Sequence, residues 1–173
     1  MPNVFQALAE HVGISPDMLE LQTGYNLLLG QVATGVADNT SSTVYLGMIP
    51  LDHWRVVGVG FIITANGAST VAETFEWGNA LSDMGVADAN AFGAYNIDTT
   101  ADKQLADGDM YIASSSQGFD LVDVDALANA GAHTWGAGVS LGVWQTKAGL
   151  ISFKKTGGIG ATSTAIPFVL VEV

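Results

Sequence analysis

The sequence predicts a mainly β protein, an antiparallel β-sandwich or jelly-roll-like domain that follows a short helical N-terminal segment and arm. Three observations predict this fold class. From Thr43 onward, short apolar and β-branched runs alternate with turn dipeptides such as Asn66-Gly67 and Asp107-Gly108. These turns recur at fairly regular spacing, which is typical of a sandwich or jelly roll rather than of βαβ units. Glycine accounts for 21 of the 173 residues, as expected for a chain with many turns.

The first 21 residues predict two short helices. Pro2 suits the first position of a helix, and Gly13 suits the position just after its end. Ser15, Pro16 and Asp17 have the order of a cap, a first helical residue and a first-turn acid, and they predict the second helix. The first helix carries an apolar stripe at helical spacing, formed by Val4, Phe5, Leu8 and Val12.

Residues 22–42 predict an extended arm, because they are small, polar and rich in turn residues apart from a short apolar patch. The first helix is too short to be stable alone in water, so its stripe must pack against its own sandwich, another copy or a partner. We therefore expect the partner-binding residues to be Val4, Phe5, Leu8, Val12, Tyr25 and Leu28.

The rest of the chain predicts nine strands, and the longest apolar run, 55–65, predicts the central one. Gly58 and Gly60 fall on one face of this strand, so that face lacks side chains and lets another group approach closely. Residues 77–90 are ambiguous and allow a short helix, and 126–138 predict a long loop. The other predicted strands are 43–49, 69–77, 92–97, 109–115, 119–124, 139–146, 150–155 and 167–173.

The change in composition at 38–42 predicts two parts, a helical segment and arm over 1–42 and a β-sandwich domain over 43–173. A chain of this size can bury a substantial core without cross-links. It contains no cysteine, so disulfides and thiolate sites are excluded.

The charge balance excludes several kinds of partner. There are 17 acidic residues against five basic ones, for a net charge of −12. This balance argues against phosphate-mediated binding to nucleic acid and against attraction to anionic membranes. No run reaches the length of a membrane span, and the N-terminus lacks the basic region of a signal peptide, so we expect no membrane insertion or export by that route.

No motif predicts catalysis, a metal or a cofactor. Asp107 and Asp109, like Asp123 and Asp125, could hold calcium, but neither pair matches an EF-hand loop and both suit turns. The three histidines lie on three different predicted elements, and there is no nucleophile elbow or phosphate loop. We expect a protein that is not an enzyme and that binds no cofactor.

The four tryptophans allow two interpretations. Trp54, Trp77, Trp135 and Trp144 could form a sugar-stacking platform, or they could pack in the core and at subunit contacts, which is the commoner role of tryptophan. A carbohydrate-binding or host-attachment module would present coplanar, exposed rings near acidic loops. A hydrolase with a sandwich fold would instead need a pocket that joins histidine and carboxylate side chains.

The β region resembles the head decoration (cement) proteins of tailed bacteriophages and related trimeric β-sandwich virion proteins. The resemblance rests on VGFIITANGAST at 59–70, LADGDMYI at 105–112 and IPFVLVEV at 166–173. It implies a non-enzymatic protein, made in the host cytoplasm, that binds the major capsid protein on the surface of an assembled virion, often as a homotrimer. The N-terminal helices and arm are not part of the resemblance. The main alternative is a carbohydrate-binding or host-attachment β-sandwich module.

Overall fold

The computed structural model describes residues 24–30, 41–65, 72–81, 88–97, 108, 110–115, 118–122, 133–157 and 164–173. The predicted N-terminal helices lie outside these residues. The described residues form ten β-strands and no helix. The strands are β1 (Tyr25–Leu29), β2 (Ser41–Ile49), β3 (Arg55–Ala65), β4 (Glu73–Asn79), β5 (Asp88–Ile97), β6 (Met110–Ser114), β7 (Gly118–Val122), β8 (His133–Ala137), β9 (Gly149–Gly157) and β10 (Thr164–Glu172).

The strands form two antiparallel sheets of five. Sheet I has the order β1-β10-β3-β6-β7, and sheet II has the order β2-β9-β4-β5-β8. Strands early in the chain pair with strands late in it, in the order of a long hairpin that is folded over on itself. The pairs are β1:β10, β2:β9, β3:β6 and β4:β5. This pairing is the jelly-roll pattern, to which β7 and β8 each add an edge strand. The prediction of an antiparallel β-sandwich is therefore confirmed.

The interior between the sheets is built around aromatic rings. Phe61 of sheet I stacks on Phe75 of sheet II, with ring centroids 4.5 Å apart, and on Tyr111 of its own sheet at 4.7 Å. The Trp77 ring packs beside Phe61 at 5.9 Å. Offset stacking of this kind adds to the free energy of burying the rings. Phe61 lies on β3, which is the middle strand of sheet I, between β10 and β6, so the prediction of 55–65 as a central strand is confirmed.

The glycine face of β3 also behaves as the sequence predicts. Gly60 pairs with Phe168 of β10, and the Phe168 ring lies over the place where a side chain at Gly60 would stand. A Cβ atom there would collide with that ring and with the carbonyl oxygen of Tyr111. The missing side chain thus lets a large aromatic ring lie flat against the sheet.

The central strands of sheet I, β10, β3 and β6, are buried on both faces. Alternate residues of these strands point away from sheet II and form a second cluster, which we call the outer apolar cluster. Tyr25 and Leu27 of β1 pack against its edge. Its six members are all at most 7% exposed: Val57, Ile62, Met110, Ile112, Phe168 and Leu170. Strands buried on both faces carry nearly continuous apolar runs, which explains the composition of β3 and β10.

Two sequence predictions are corrected by the strand pairing. Tyr25–Leu29 was expected in the arm, but it pairs along its whole length with β10, so the sandwich begins before Thr43. Residues 139–146 were expected to form a strand, but they form turns, with Gly142 at a φ of 77°. The strand lies just before them, at His133–Ala137, inside the predicted loop. Tertiary pairing with the edge of β5 decides this short, glycine-containing strand.

Candidate contact site at one end of the sandwich

Seven strand ends meet at one end of the sandwich. The first residues of β1 and β3 both pair with Glu172, the last residue of β10. In sheet II, the last residue of β2 pairs with the first of β9, and the last of β4 with the first of β5. Residues 138–148 connect β8 to β9 at this end, and their backbone hydrogen-bonds to both sheets, from Ser140 to the Ala91 carbonyl and from Gly142 to the Val56 carbonyl. The Gln145 backbone N–H donates to the Trp54 carbonyl at 2.7 Å, and Trp54 Nε1 donates to the Lys147 carbonyl at 2.8 Å.

Exposed apolar side chains gather at this end, which we call the apolar end. Nine large apolar side chains among the described residues are exposed. Leu29 and Tyr45 lie elsewhere, at the far end of β1 and within β2. The other seven belong to the strand ends named above, to the residues just after them, or to 138–148: Met48, Leu51, Leu81, Val139, Val143, Trp144 and Val173. A concentration of this kind on one part of a surface is typical of a protein contact site.

A chain of side-chain contacts orders the apolar end. The rings of His53 and Trp144 stack with centroids 4.1 Å apart and nearly parallel planes. The Arg55 guanidinium lies 4.7 Å from the centre of the Trp144 ring, and Arg55 Nε donates to Glu172 Oε2 at 2.6 Å. The Tyr25 hydroxyl also hydrogen-bonds to Glu172. The contacts hold an exposed indole in one orientation, which lowers the entropy lost when it packs against a partner.

The environment of Tyr25 changes its acidity. Partial burial raises the pKa of the Tyr25 phenol above its ordinary value. The Glu172 carboxylate raises this pKa further by charge repulsion and by accepting the hydrogen bond, while Arg55 opposes the increase. A phenol is protonated at neutral pH in any case, and the raised pKa extends the range in which Tyr25 donates to Glu172 to higher pH.

A polar cleft of about 400 Å³ opens beside Trp144. It lies between the ends of β4 and β5 and residues 140–148, and its polar lining includes Asn79, Asp88 and Thr146. One of these polar side chains already accepts hydrogen bonds from backbone N–H groups. Asn79 Oδ1 accepts from the N–H groups of Leu81 and Leu150, at 3.0 and 3.1 Å. The remaining polar atoms could hydrogen-bond a small hydrophilic ligand.

The predicted partner-binding residues fall in different places. Tyr25 lies at the apolar end and packs against the outer apolar cluster. Leu28 packs against the interior between the sheets instead. Val4, Phe5, Leu8 and Val12 lie outside the described residues. Sequence reasoning missed Val139 and Val143, because a lone valine in a turn carries no local signal of exposure, and it named Trp144 only among the four tryptophans.

The tryptophans do not form a coplanar platform. Trp54 and Trp77 are fully buried, and Trp135 packs against the interior cluster. Trp144 is exposed, but its ring already stacks with the His53 imidazole and contacts the Arg55 guanidinium. The preference for core packing is confirmed for Trp54 and Trp77.

The histidine and carboxylate side chains of the described residues do not gather into a metal site. No group of three histidine or carboxylate side chains that could hold a metal ion occurs among the described residues. The carboxylates of Asp107, Asp109, Asp123 and Asp125 lie outside them. Within the same residues, no helix is long and apolar enough to cross a membrane.

Comparisons with known proteins give distant structural similarity. No protein-family model and no curated protein matches the chain. One similar solved structure is a chain of the acidic stable capsid of Helicobacter pylori bacteriophage KHP30, with a TM-score of 0.45 and 14% identity over 87% of this chain and 89% of that one. Another is a mutant form of the Emp46p carbohydrate recognition domain, with a TM-score of 0.36 and 9% identity over 98% and 91% of the two chains. The potassium-bound form of the same domain has a TM-score of 0.33 and 11% identity over 92% and 93%.

Proposed function

We propose that the chain is a non-enzymatic structural protein of a bacteriophage virion, which binds the outer surface of the assembled capsid and reinforces it as a decoration protein. The observation that carries a binding role is the apolar end, where seven of the nine exposed large apolar side chains of the described residues gather. The choice of a capsid as the partner rests on the resemblance of the β region to decoration proteins.

The charges of the described residues favour an apolar contact. The chain has five basic residues. Arg55 pairs with Glu172, Lys154 with Glu76 and Lys155 with Glu73, all within the chain. Interfaces typically have an apolar centre, and the Arg55–Glu172 ion pair at the apolar end is already satisfied within the chain. Repetition over a capsid lattice strengthens a modest contact through multivalency.

The test is co-sedimentation with phage particles from the culture that produces the protein. Leu51→Asp with Val143→Asp places two charges on side chains that are 44% and 50% exposed, so the sandwich should still fold. We expect this variant to stay in the supernatant, because charges buried without partners weaken a contact strongly. The matched control is Leu29→Asp with Tyr45→Asp, which adds the same charge elsewhere and should pellet like the unmodified protein. Equal pelleting of both variants would refute the proposal.

A second candidate is a carbohydrate-binding or host-attachment module, and the cleft beside Trp144 favours it. The cleft has the size of a small-ligand site and offers amide and carboxylate groups beside an aromatic ring. The ring contacts of His53 and Arg55 count against free stacking of a sugar on Trp144. Calorimetric titration with an oligosaccharide panel decides between the candidates. Binding that is lost in Asp88→Ala but kept in Asn96→Ala would favour this module.

A further inference from the structure

The outer apolar cluster of sheet I is buried, but no described strand covers it. Sheet II packs against the opposite face, where Phe61 meets Phe75. Among the ten described strands, none lies on the outer side of sheet I. Yet Met110, Ile112, Phe168 and Leu170 are completely buried there. Whatever covers these side chains must therefore come from outside the described residues.

The composition of the remaining chain points to residues 1–23. This segment has nine large aliphatic, methionine or phenylalanine side chains, whereas no other undescribed segment has more than two. Residues 98–107 and 123–132, for example, consist mainly of small and acidic residues. A cluster of six large apolar side chains needs a cover with several apolar groups of its own, because apolar surface gains stability only when it is removed from water. Only residues 1–23 supply them.

The connection to β1 places this segment at the edge of the cluster. Residues 1–23 lead directly into Gly24 and β1, the edge strand whose Tyr25 and Leu27 already pack against the cluster. From β1 across β10 and β3 to β6 there are three strand spacings, which together measure roughly 15 Å. Twelve residues in a helix already span about 18 Å. The segment is therefore long enough to cross the outer apolar cluster.

We propose that residues 1–23 dock on the outer face of sheet I of the same chain, with the stripe of Val4, Phe5, Leu8 and Val12 against the outer apolar cluster. The N-terminal segment then forms a third layer over the jelly roll. The stripe then packs against apolar side chains of its own chain, away from the apolar end. This placement selects one of the three possibilities that the sequence leaves open, namely the chain's own sandwich.

The absence of native cysteine allows a direct test by cross-linking in the full chain. The test variant combines Leu8→Cys with Leu27→Cys, at the edge of the outer apolar cluster. The control combines Leu8→Cys with Thr74→Cys, on the opposite face of the sandwich. Both second positions are partly exposed. After treatment with a short bis-maleimide, we expect an intramolecular link at the monomer mass for the test pair and none for the control. Equal linking of both pairs, no link in the test pair, or a link only between two chains would overturn the proposal.

A second measurement does not depend on engineered cysteines. Phe5→Asp with Leu8→Asp should increase the binding of an apolar fluorescent dye and lower the melting temperature, because the cluster loses its cover. Asn3→Asp with Gln6→Asp adds the same charge off the stripe and should change neither. Complete unfolding of the stripe variant would also support the docking, since the stripe would then belong to the core. Identical behaviour of the two variants would refute it. Neither experiment uses capsids, so each outcome is independent of the proposed virion function.

Discussion

At the scale of single residues, the close approach of Phe168 to β3 makes Gly60 sensitive to any side chain. Gly60→Ala would push a methyl group into the Tyr111 carbonyl oxygen and into the Phe168 ring, which is fully buried in the outer apolar cluster. Overpacking of this kind typically costs about 1–3 kcal/mol. We expect the free energy of unfolding, measured by chemical denaturation, to fall by this amount.

Gly136 provides the matched control for this substitution. It lies in edge strand β8, and a Cβ atom there would have no neighbour within 4 Å. Gly136→Ala should therefore leave the free energy of unfolding nearly unchanged or raise it slightly, because alanine restricts the unfolded chain. A cost at Gly136 equal to that at Gly60 would contradict the packing of Phe168 on β3.

The raised pKa of Tyr25 predicts a loss of stability at alkaline pH. Because this pKa is higher in the folded protein than in the unfolded chain, the folded state binds the phenolic proton more tightly. The resulting stabilisation is complete below the unfolded pKa of about 10 and is lost as the pH rises through the folded value. The Tyr25→Phe variant has no phenolic proton and therefore lacks this pH-dependent stabilisation. The melting temperature of the variant should decline less steeply above about pH 10 than that of the unmodified protein.

The control is Tyr45→Phe, which alters an exposed tyrosine of β2 in sheet II, whereas Glu172 belongs to sheet I. Its alkaline decline should match that of the unmodified protein. If Tyr25→Phe and the unmodified protein lose stability in parallel across this range, folding does not raise the Tyr25 pKa.

At the scale of elements, strands β4 and β9 carry two ion pairs in contrasting surroundings. Lys155 Nζ lies 3.1 Å from Glu73 Oε1, and both side chains are almost completely buried. Lys154 Nζ lies 3.3 Å from Glu76 Oε2 on the opposite face, where both side chains are partly exposed. The same two strands therefore allow a comparison in which mainly the burial differs.

Glu73→Gln should destabilise the protein far more than Glu76→Gln. Removing one charge of a buried pair leaves the other without compensation, which typically costs about 3–5 kcal/mol. The partly exposed pair is screened by water, and its loss should cost at most about 1 kcal/mol. Chemical denaturation of the two variants measures both values. Similar costs would show that Lys155 reaches water or another acceptor once Glu73 is changed.

At the scale of the whole molecule, the sequence predicts a homotrimer held by apolar contacts, and this remains a prediction. Three of the five basic residues already pair within the chain, which leaves few for ion pairs between subunits. Salt at about 1 M screens exposed charges almost completely but does not weaken apolar contacts. The mass from light scattering should therefore stay that of a trimer in concentrated sodium chloride. Dissociation into monomers would contradict apolar assembly.

The sequence by itself determined the fold class and most of the strands. Strand 55–65 coincides with β3 to the residue, and its glycine face is where Phe168 packs. These features are readable because they arise from local causes. A long β-branched run favours extended backbone, and alternation assigns its residues to faces wherever the strand is regular.

Only the tertiary structure decided which residues pair at the edges and which are exposed. β1 and β8 form because β10 and β5 offer them unpaired edges, a condition set by residues far away in the chain. The apolar end likewise combines seven strand ends with residues 138–148, and no window of sequence contains them together. Exposure depends on what the rest of the fold covers, so the same valine type is buried at Val59 in β3 and exposed at Val143.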